Sequence, residues 1–250
     1  MSLSSKIDQI HLHMRCNRWL SYFSIFLRLI LAFGFITSGI VKLVGERFAA
    51  GLSANHPMGQ YLEALHHTGY YYTFIGIFQV VAAILLLIPR TVALGALLYF
   101  PIILNIFVLS YALRFEGSSL TSPLMVLACL FLIGWNYDKI KYILPFDHGA
   151  NENPTPIPKP FDRRFPIKFF LSAAALIAGV ILYVVFGFGI APRNSPKDCA
   201  SQFSGTNRTK AGEAFCDCIH KDGLPLDTCL AKYYMAPDDL PSKNQRKKTR

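Results

Sequence analysis

Residues 19–44 read WLSYFSIFLRLILAFGFITSGIVKLV, and Arg28 and Lys42 are the two charged residues among them. A helix needs about 20 mostly apolar residues to cross the ~30 Å hydrocarbon core of a bilayer, so this stretch is long enough to span it. The stretch is too long, and begins too far along the chain, for a cleaved signal peptide, and no small-residue cleavage site follows its apolar core. It therefore predicts a first membrane-spanning helix.

Four more stretches of the 250-residue chain have the same character. Hydrophobic residues make up 52% of the chain and charged residues 16%, whereas soluble domains usually carry about 25% charged residues. These features predict an all-α membrane protein with five transmembrane helices. The later spans are expected at residues 71–88, 92–113, 120–137 and 167–190.

Changes in composition divide the chain into segments. The run NPTPIPKP at residues 153–160 cannot be helical throughout and predicts an extended spacer. The predicted segments are an N-terminal segment (1–18), a four-helix membrane core (19–145), a Pro-rich linker (146–166), a fifth transmembrane helix (167–190) and a Cys-containing tail (191–250).

The positions of Lys and Arg predict the orientation, because cytoplasmic loops carry an excess of them. Basic residues precede the first span and recur between residues 138 and 168, whereas the loops at 49–68 and 116–119 contain none. The N-terminus and the linker are therefore expected in the cytoplasm, and the tail outside, in a bacterial inner (plasma) membrane. The net charge is +10, and the basic residues flank the apolar stretches. Membrane lipid is therefore the expected partner, and nucleic acid is not.

The loop between the first two spans contains a short helical pattern. His56-Pro57 places proline in a first helical turn, and apolar residues then recur every three or four positions up to Gly69. The pattern predicts an amphipathic helix that caps the bundle on its outer surface. Tyr70–Tyr72 follow, where an interfacial aromatic belt is expected.

Four residues inside the spans are candidate substrate-binding residues: Arg28, Lys42, Gln79 and Asn105. A charge near the middle of the bilayer costs at least ~2.5–3.5 kcal/mol, so Arg28 should face the bundle interior and have a partner, for which Gln79 is a candidate. The alternative is that Gln79 and Asn105 form hydrogen bonds between helices, worth ~0.6–2 kcal/mol. Gly34 and Ser38, with Gly39 beside them, predict a close helix approach.

The first span resembles the opening helix of the DoxX family, in which an Arg precedes an apolar stretch that ends in Ser-Gly-x-x-Lys. Here these residues are Arg28, Ser38, Gly39 and Lys42, and the resemblance extends over residues 20–145. The later spans contribute Gly76-Ile-Phe-Gln79, Leu85-Leu-Leu-Ile-Pro-Arg90, Gly95 and Pro101-Ile-Ile-Leu-Asn105 to it.

The DoxX resemblance implies an antiparallel four-helix transmembrane bundle. It also implies a link to membrane redox systems, since family members include membrane subunits tied to thiosulfate oxidation with quinone as electron acceptor, and others tied to thiol and oxidative-stress systems. Many members carry an acidic residue where Gln79 stands, so this sequence departs from the family there. The fifth span and the tail lie outside the resemblance.

The tail contains four of the six cysteines, Cys199, Cys216, Cys218 and Cys229. An even number of cysteines on the oxidising side of a membrane predicts disulfides, with three possible connectivities. Helical patterns before and after Asp222-Gly223 predict a small helical hairpin stapled by these disulfides. Two alternatives are open: a redox-active dithiol, and a soft-metal site at Cys216, Cys218 and His220.

The leading hypothesis is a DoxX-like component of a membrane redox system, linked to quinone or thiol chemistry and working with a redox partner subunit. Quinone is the expected cofactor class, bound near Arg28 and Gln79. The chain lacks nucleotide-binding, Ser/His/Asp and haem motifs, so an enzymatic activity rests on the resemblance. The alternatives are a non-enzymatic scaffold that presents the tail and a small-molecule transporter.

Overall fold

The computed structural model describes residues 11, 12, 14–141 and 162–239. These residues are helical or irregular and form no strand. Most of the Pro-rich linker, and both chain ends, lie outside the described residues. The helices are α1 (Arg18–Val44), α2 (Pro57–His66), α3 (Tyr70–Leu87), α4 (Val92–Ala112), α5 (Glu116–Ser119), α6 (Thr121–Trp135), α7 (Tyr137–Ile140), α8 (Ile167–Phe186), α9 (Pro196–Ser201), α10 (Thr209–His220) and α11 (Leu226–Met235).

Within the described part of the chain, five helical segments are long and apolar enough to cross a bilayer. They are α1, α3, α4, α5 together with α6, and α8. The protein is therefore an integral, multi-pass membrane protein, and the prediction of an all-helical chain with five spans is confirmed. The helix ends agree with the sequence pattern because capping residues mark them. Asn17 caps the start of α1, and Gly45 ends it in the left-handed conformation that glycine favours.

The first four spanning segments pack around a shared core. Helix α1 contacts α3 and α6, and α4 contacts the same two helices. Consecutive spans are therefore neighbours in space, and the first and fourth spans are neighbours as well. Phe35 and Tyr99 stack at the centre with ring centroids 3.5 Å apart, and the Tyr99 hydroxyl donates to the Leu31 carbonyl at 3.4 Å. We call the end of this bundle that carries α2 the loop end, and the opposite end the N-terminal end.

Two glycines allow α1 and α3 to approach closely. A Cβ atom on Gly39 would lie 3.0 Å from the Gly76 carbonyl oxygen, and one on Gly76 would lie 3.0 Å from the Gly39 carbonyl oxygen. The Cβ of Gln79 packs on Gly39, and the Cβ of Lys42 packs on Gly76. The predicted close approach is therefore present, and of the three small residues that predicted it, Gly39 is the one that meets Gly76 of α3.

Helix α8 is packed differently from the other four spans. None of its residues is buried, and its ring contacts lie near its two ends. Phe169 meets Phe23 and Phe131 near the N-terminal end, and Tyr183 stacks on Tyr111 near the loop end. An apolar helix with so little protein around it presents most of its surface to lipid.

The tail is a small unit with its own core. The structure pairs Cys199 with Cys216 and Cys218 with Cys229, each with a Cα–Cα distance of 5.8 Å. The predicted hairpin helices correspond to α10 and α11. A third short helix, α9, was not predicted, and it carries Cys199.

The tail folds back onto the loop end of the bundle. The Asn55 side chain donates to the carbonyls of His220 and Lys221 at 2.9 and 3.1 Å, and Gln60 donates to Gly223 at 2.6 Å. Arg114 donates to the Ile190 carbonyl at 2.7 Å, and Arg193 forms an ion pair with Glu116. The loop between α1 and α3 and the turn between α4 and α5 therefore both hold the tail.

His56 lies in this contact, almost fully buried between Phe115 and His220. Its Nδ1 atom accepts the Met58 backbone N–H at 3.1 Å and so caps α2. Burial lowers the pKa of His56 to about 4, with a further contribution from His220 and partial opposition from the Arg193 backbone. His56 is thus neutral in the folded protein at neutral pH.

We expect Gly76→Ala to lower the stability of the bundle by about 1–3 kcal/mol, because the new methyl group would overlap Lys42 and the Gly39 carbonyl. Gly134→Ala in α6 is the matched control, since a Cβ there meets no atom within 4 Å. Thermal unfolding in detergent measures both. Equal unfolding temperatures for the two variants would contradict the close α1–α3 contact.

Acidification should weaken the contact between the tail and the loop. The folded-state pKa of His56 lies below its ordinary value, so its stabilising effect is complete above pH 6.5 and is lost as the pH falls toward 4. At pH 5 the free energy of unfolding should be about 2 kcal/mol lower than at neutral pH.

The variant His56→Asn keeps a capping side chain and does not titrate, so its unfolding temperature should change less between pH 7.5 and pH 5 than that of the wild type. His67→Gln, at an exposed position, is the control and should retain the wild-type pH dependence. An unchanged pH dependence in His56→Asn would remove His56 as its source.

Candidate functional site

A cavity of about 630 Å³ lies in the loop-end half of the bundle. Residues of α1, α3, α4 and α6 form its walls, and α2 contributes Met58, Tyr61 and Leu62 to its roof. Phe35 and Ile103, which belong to the central core, form its floor. Most of the lining is apolar, so the few polar groups are the determinants of what the cavity binds.

Lys42 is a buried cation in the wall of this cavity. Its ammonium donates to the Ser38 carbonyl at 3.0 Å and lies 4.7 Å from the ring centroid of Phe48 and 5.8 Å from that of Tyr72. Among the described residues, no carboxylate forms an ion pair with it. Lys42 is therefore held by one carbonyl and two aromatic rings, without a counter-charge.

Gln79 and Ser122 bring buried polar atoms without partners to the same cavity. Gln79 is 2% exposed, and its Oε1 atom accepts no hydrogen bond from the described part of the protein. The Ser122 hydroxyl on α6 is also buried and unpaired within that part. Buried polar groups are normally hydrogen-bonded, so each of these atoms has capacity for a ligand or for water.

Asn105 lies on the α4 wall, near the middle of that span. Its side chain makes no hydrogen bond with any residue the structure describes. Pro101, one turn earlier, also lines the cavity and has no N–H to donate to the preceding turn. The α4 wall therefore presents hydrogen-bonding capacity at membrane depth, which is tolerated where it faces a cavity.

The loop that follows α1 is fixed over Lys42. The Tyr72 hydroxyl donates to the Glu46 carbonyl at 2.9 Å and accepts the Phe48 backbone N–H at 2.8 Å. Arg47 forms an ion pair with Glu63 of α2 at 2.8 Å. The roof is thus tied to both α1 and α3, and the Phe48 ring is held above the ammonium.

Arg28 lies outside this cavity, near the N-terminal end of the bundle. Its guanidinium donates to the carbonyls of Leu86 and Leu87 at 2.7 Å each. These carbonyls belong to the last turn of α3, where no helical N–H remains to pair with them and a positive charge is favourable. Arg28 does have a partner, as expected, but that partner is the C-terminus of α3 and not Gln79.

The structure therefore brings together Lys42, Gln79 and Asn105 of the predicted set and leaves Arg28 apart.

The cysteine pairing also bears on the two alternatives for the tail. Cys216 and Cys218 are bonded to different partners, and both disulfides are buried, whereas redox-active sulfurs are normally accessible. Within the described residues, no group of three or more His, Cys, Asp or Glu side chains is arranged to hold a metal ion.

Three contributors to the site were not identified from the sequence. Ser122 looks like any serine in an apolar stretch, Phe48 lies in an irregular loop, and Tyr72 belongs to the predicted aromatic belt but is 2% exposed. The sequence does contain a signal that could have placed Tyr72 in the interior. Tyr72 lies one helical turn before Gly76, just as Lys42 lies about one turn after Gly39, so each residue shares a helix face with one of the two contacting glycines.

Neither a model of a known protein family nor a solved structure matches this chain. A curated protein does match: the uncharacterized protein YwoB of Bacillus subtilis (strain 168) is 40% identical over 112 residues, which cover 42% of this chain and 71% of YwoB. The similarity thus covers most of YwoB and less than half of this chain. The chain belongs to the family of YwoB.

Proposed function

We propose that this protein is a DoxX-like component of a membrane redox system and that its cavity binds a quinone or a similar amphipathic carrier. The observation that carries the proposal is an apolar cavity within the spans that is lined by Lys42, a cation without a counter-charge among the described residues, and by Gln79, whose buried Oε1 atom has no partner there. Asn105 adds a second amide to the same lining. A redox partner subunit then supplies or receives the electrons. The DoxX-like part is the four-helix core.

The placement of the polar groups favours a ligand with oxygens on opposite sides of a ring. Because α1 and α3 are antiparallel and meet at Gly39 and Gly76, Lys42 lies level with Gly76 and Gln79 lies level with Gly39. The Cβ atoms of the two residues are thus offset by about three residues, or ~4.5 Å along the bundle. A quinone ring between them receives a hydrogen bond from Lys42 at one oxygen and from an amide at the other.

The apolar lining accounts for the rest of such a ligand. Gly34, Met125 and Ile102 line the cavity on α1, α6 and α4, where they provide contacts for a ring and the start of an isoprenoid chain. Binding sites for small molecules commonly combine an apolar surface with a few polar groups that fix orientation. The present cavity has that combination.

We also propose that the N-terminal end of the bundle faces the cytoplasm of a bacterium and that the tail is extracytoplasmic. Arg15, which pairs with Asp138, and Arg164, whose carbonyl accepts from Asn17, lie together at that end. The disulfides lie at the other end, as expected for an oxidising compartment. This orientation places the cavity in the outer half of the membrane.

The scaffold function is the second candidate, and the surface of the tail favours it. Tyr234 and Met235 at the end of α11 are 62% and 85% exposed. Large apolar side chains at such exposure are suited to contact with a partner protein. Hydrogen bonds and an ion pair hold the tail on the bundle, so such a partner would be positioned near the roof of the cavity.

The test is retention of quinone by the purified protein. Wild type, Gln79→Leu, Asn105→Leu and Arg28→Ala are purified in detergent from quinone-containing membranes, and the quinone extracted per mole of folded protein is quantified. Each of the two amide variants should lose about fivefold in affinity, since a hydrogen bond contributes about 1 kcal/mol. Arg28→Ala should retain quinone, because Arg28 does not line the cavity.

Added decylubiquinone provides an independent readout, because a ligand of the folded state raises the unfolding temperature. The rise should occur for the wild type and Arg28→Ala and should be reduced in Gln79→Leu and Asn105→Leu. Absence of quinone from the wild type, together with no rise on addition, would contradict the proposal.

A further inference from the structure

The charge on Lys42 distinguishes this cavity from one suited to a neutral molecule. Lys42 is 6% exposed, and the nearby carboxylates are not its partners. Glu63 pairs with Arg47 and with His67 at 2.8 and 3.1 Å, and Glu46 is exposed. The local structure therefore holds a positive charge that no described side chain balances.

The contacts that Lys42 does make offset a part of its burial cost. An ammonium has three N–H donors, and one of them reaches the Ser38 carbonyl. Stacking over Phe48 contributes on the order of 0.5–2 kcal/mol, whereas removing an ion from water costs several kcal/mol even after relaxation. A negatively charged group near the ammonium would offset the remaining cost.

The cavity is where such a group has room. Lys42, Ser38 and Phe48 all line it, so an anionic oxygen entering the cavity can approach the remaining N–H donors. The loop above is fixed by the hydrogen bonds of Tyr72 to Glu46 and Phe48. The ammonium therefore stays at the cavity wall and cannot extend to bulk solvent without displacing this loop.

We propose that the cavity selects an anionic head group, with Lys42 as its counter-charge and the amides of Gln79 and Asn105 as partners for the other oxygens. This inference rests on the proposed function, since it concerns the ligand of the same cavity. Its ligand class is an amphiphile with a negatively charged oxygen on a compact head, as in an ionised hydroxyquinone. A neutral quinone fits the same space but leaves the charge on Lys42 unbalanced.

Two probes with the same ring system separate charge from shape. The hydroxyl of 2-hydroxy-1,4-naphthoquinone is a vinylogous acid and is ionised at neutral pH, whereas 2-methyl-1,4-naphthoquinone is neutral. Binding of each probe to the detergent-purified full chain is measured by equilibrium dialysis. The wild type should bind the anionic probe at least tenfold more tightly than the neutral one.

The variant Lys42→Met keeps the aliphatic stem that packs on Gly76 and removes the charge, so it should bind the two probes equally. Lys42→Arg restores a cation and should restore a preference for the anion. Lys168→Met, at the start of α8 and outside the cavity, is the control and should behave as the wild type. The ligand-free unfolding temperature of Lys42→Met should equal or exceed that of the wild type, because an unbalanced buried charge is removed.

The outcomes separate this inference from the proposed function. If the wild type binds both probes with equal affinity, or if a preference for the anion survives in Lys42→Met, the inference is wrong while a quinone-binding cavity stands. If the wild type binds neither probe, the inference is wrong, and the decylubiquinone measurement decides whether the proposed function stands. A lower ligand-free unfolding temperature for Lys42→Met would assign Lys42 to the support of the loop and overturn its role as a ligand's counter-charge.

Discussion

The contact between Gly39 and Gly76 is the constraint on which the loop-end half of the bundle depends. In lipid, helices are not driven together by the hydrophobic effect, so close packing between small residues is a main source of their association. Here the two glycines let α1 and α3 approach until backbone atoms meet. The Cβ atoms of Lys42 and Gln79 fill the space that the glycines leave, so the same contact that joins the helices also places the two polar side chains on one interface.

The cavity follows from how the bundle is closed around this interface. At the centre of the bundle and toward its N-terminal end, large side chains such as Phe35, Tyr99 and Leu132 fill the space between the four helices. Toward the loop end the packing opens, and α2 covers the opening. Lys42 and Gln79 therefore lie between a packed floor and a fixed roof, in surroundings of low polarity where unpaired groups favour a ligand that satisfies them. Arg28 serves the opposite end, where it satisfies the last carbonyls of α3.

The tail extends this arrangement on the side of the roof. Its two disulfides hold three short helices that could not bury enough apolar surface to fold without them. Asn55, just before α2, and Gln60, within α2, donate hydrogen bonds to the tail. Arg114, between α4 and α5, and Glu116, at the start of α5, also bind the tail. The segment that roofs the cavity is thus held from the bundle by Arg47 and Tyr72 and from above by the tail. Protonation of His56 would place a charge within that contact.

The sequence by itself determined the five spans, the approximate positions of their ends and the roof helix. These features depend on local properties, namely the length of apolar stretches, capping residues such as Asn17 and Gly45, and proline at Pro57. It also singled out Lys42, Gln79 and Asn105, which line one cavity, since polar residues inside spans are costly and rare. Tertiary structure alone decided that Arg28 caps α3, that Tyr72 and Phe48 enclose Lys42, that Ser122 faces the cavity, and which cysteines pair. Those outcomes depend on which helix faces come together in space, and residues such as Arg28 and Leu86, 58 positions apart, meet only after the bundle has formed.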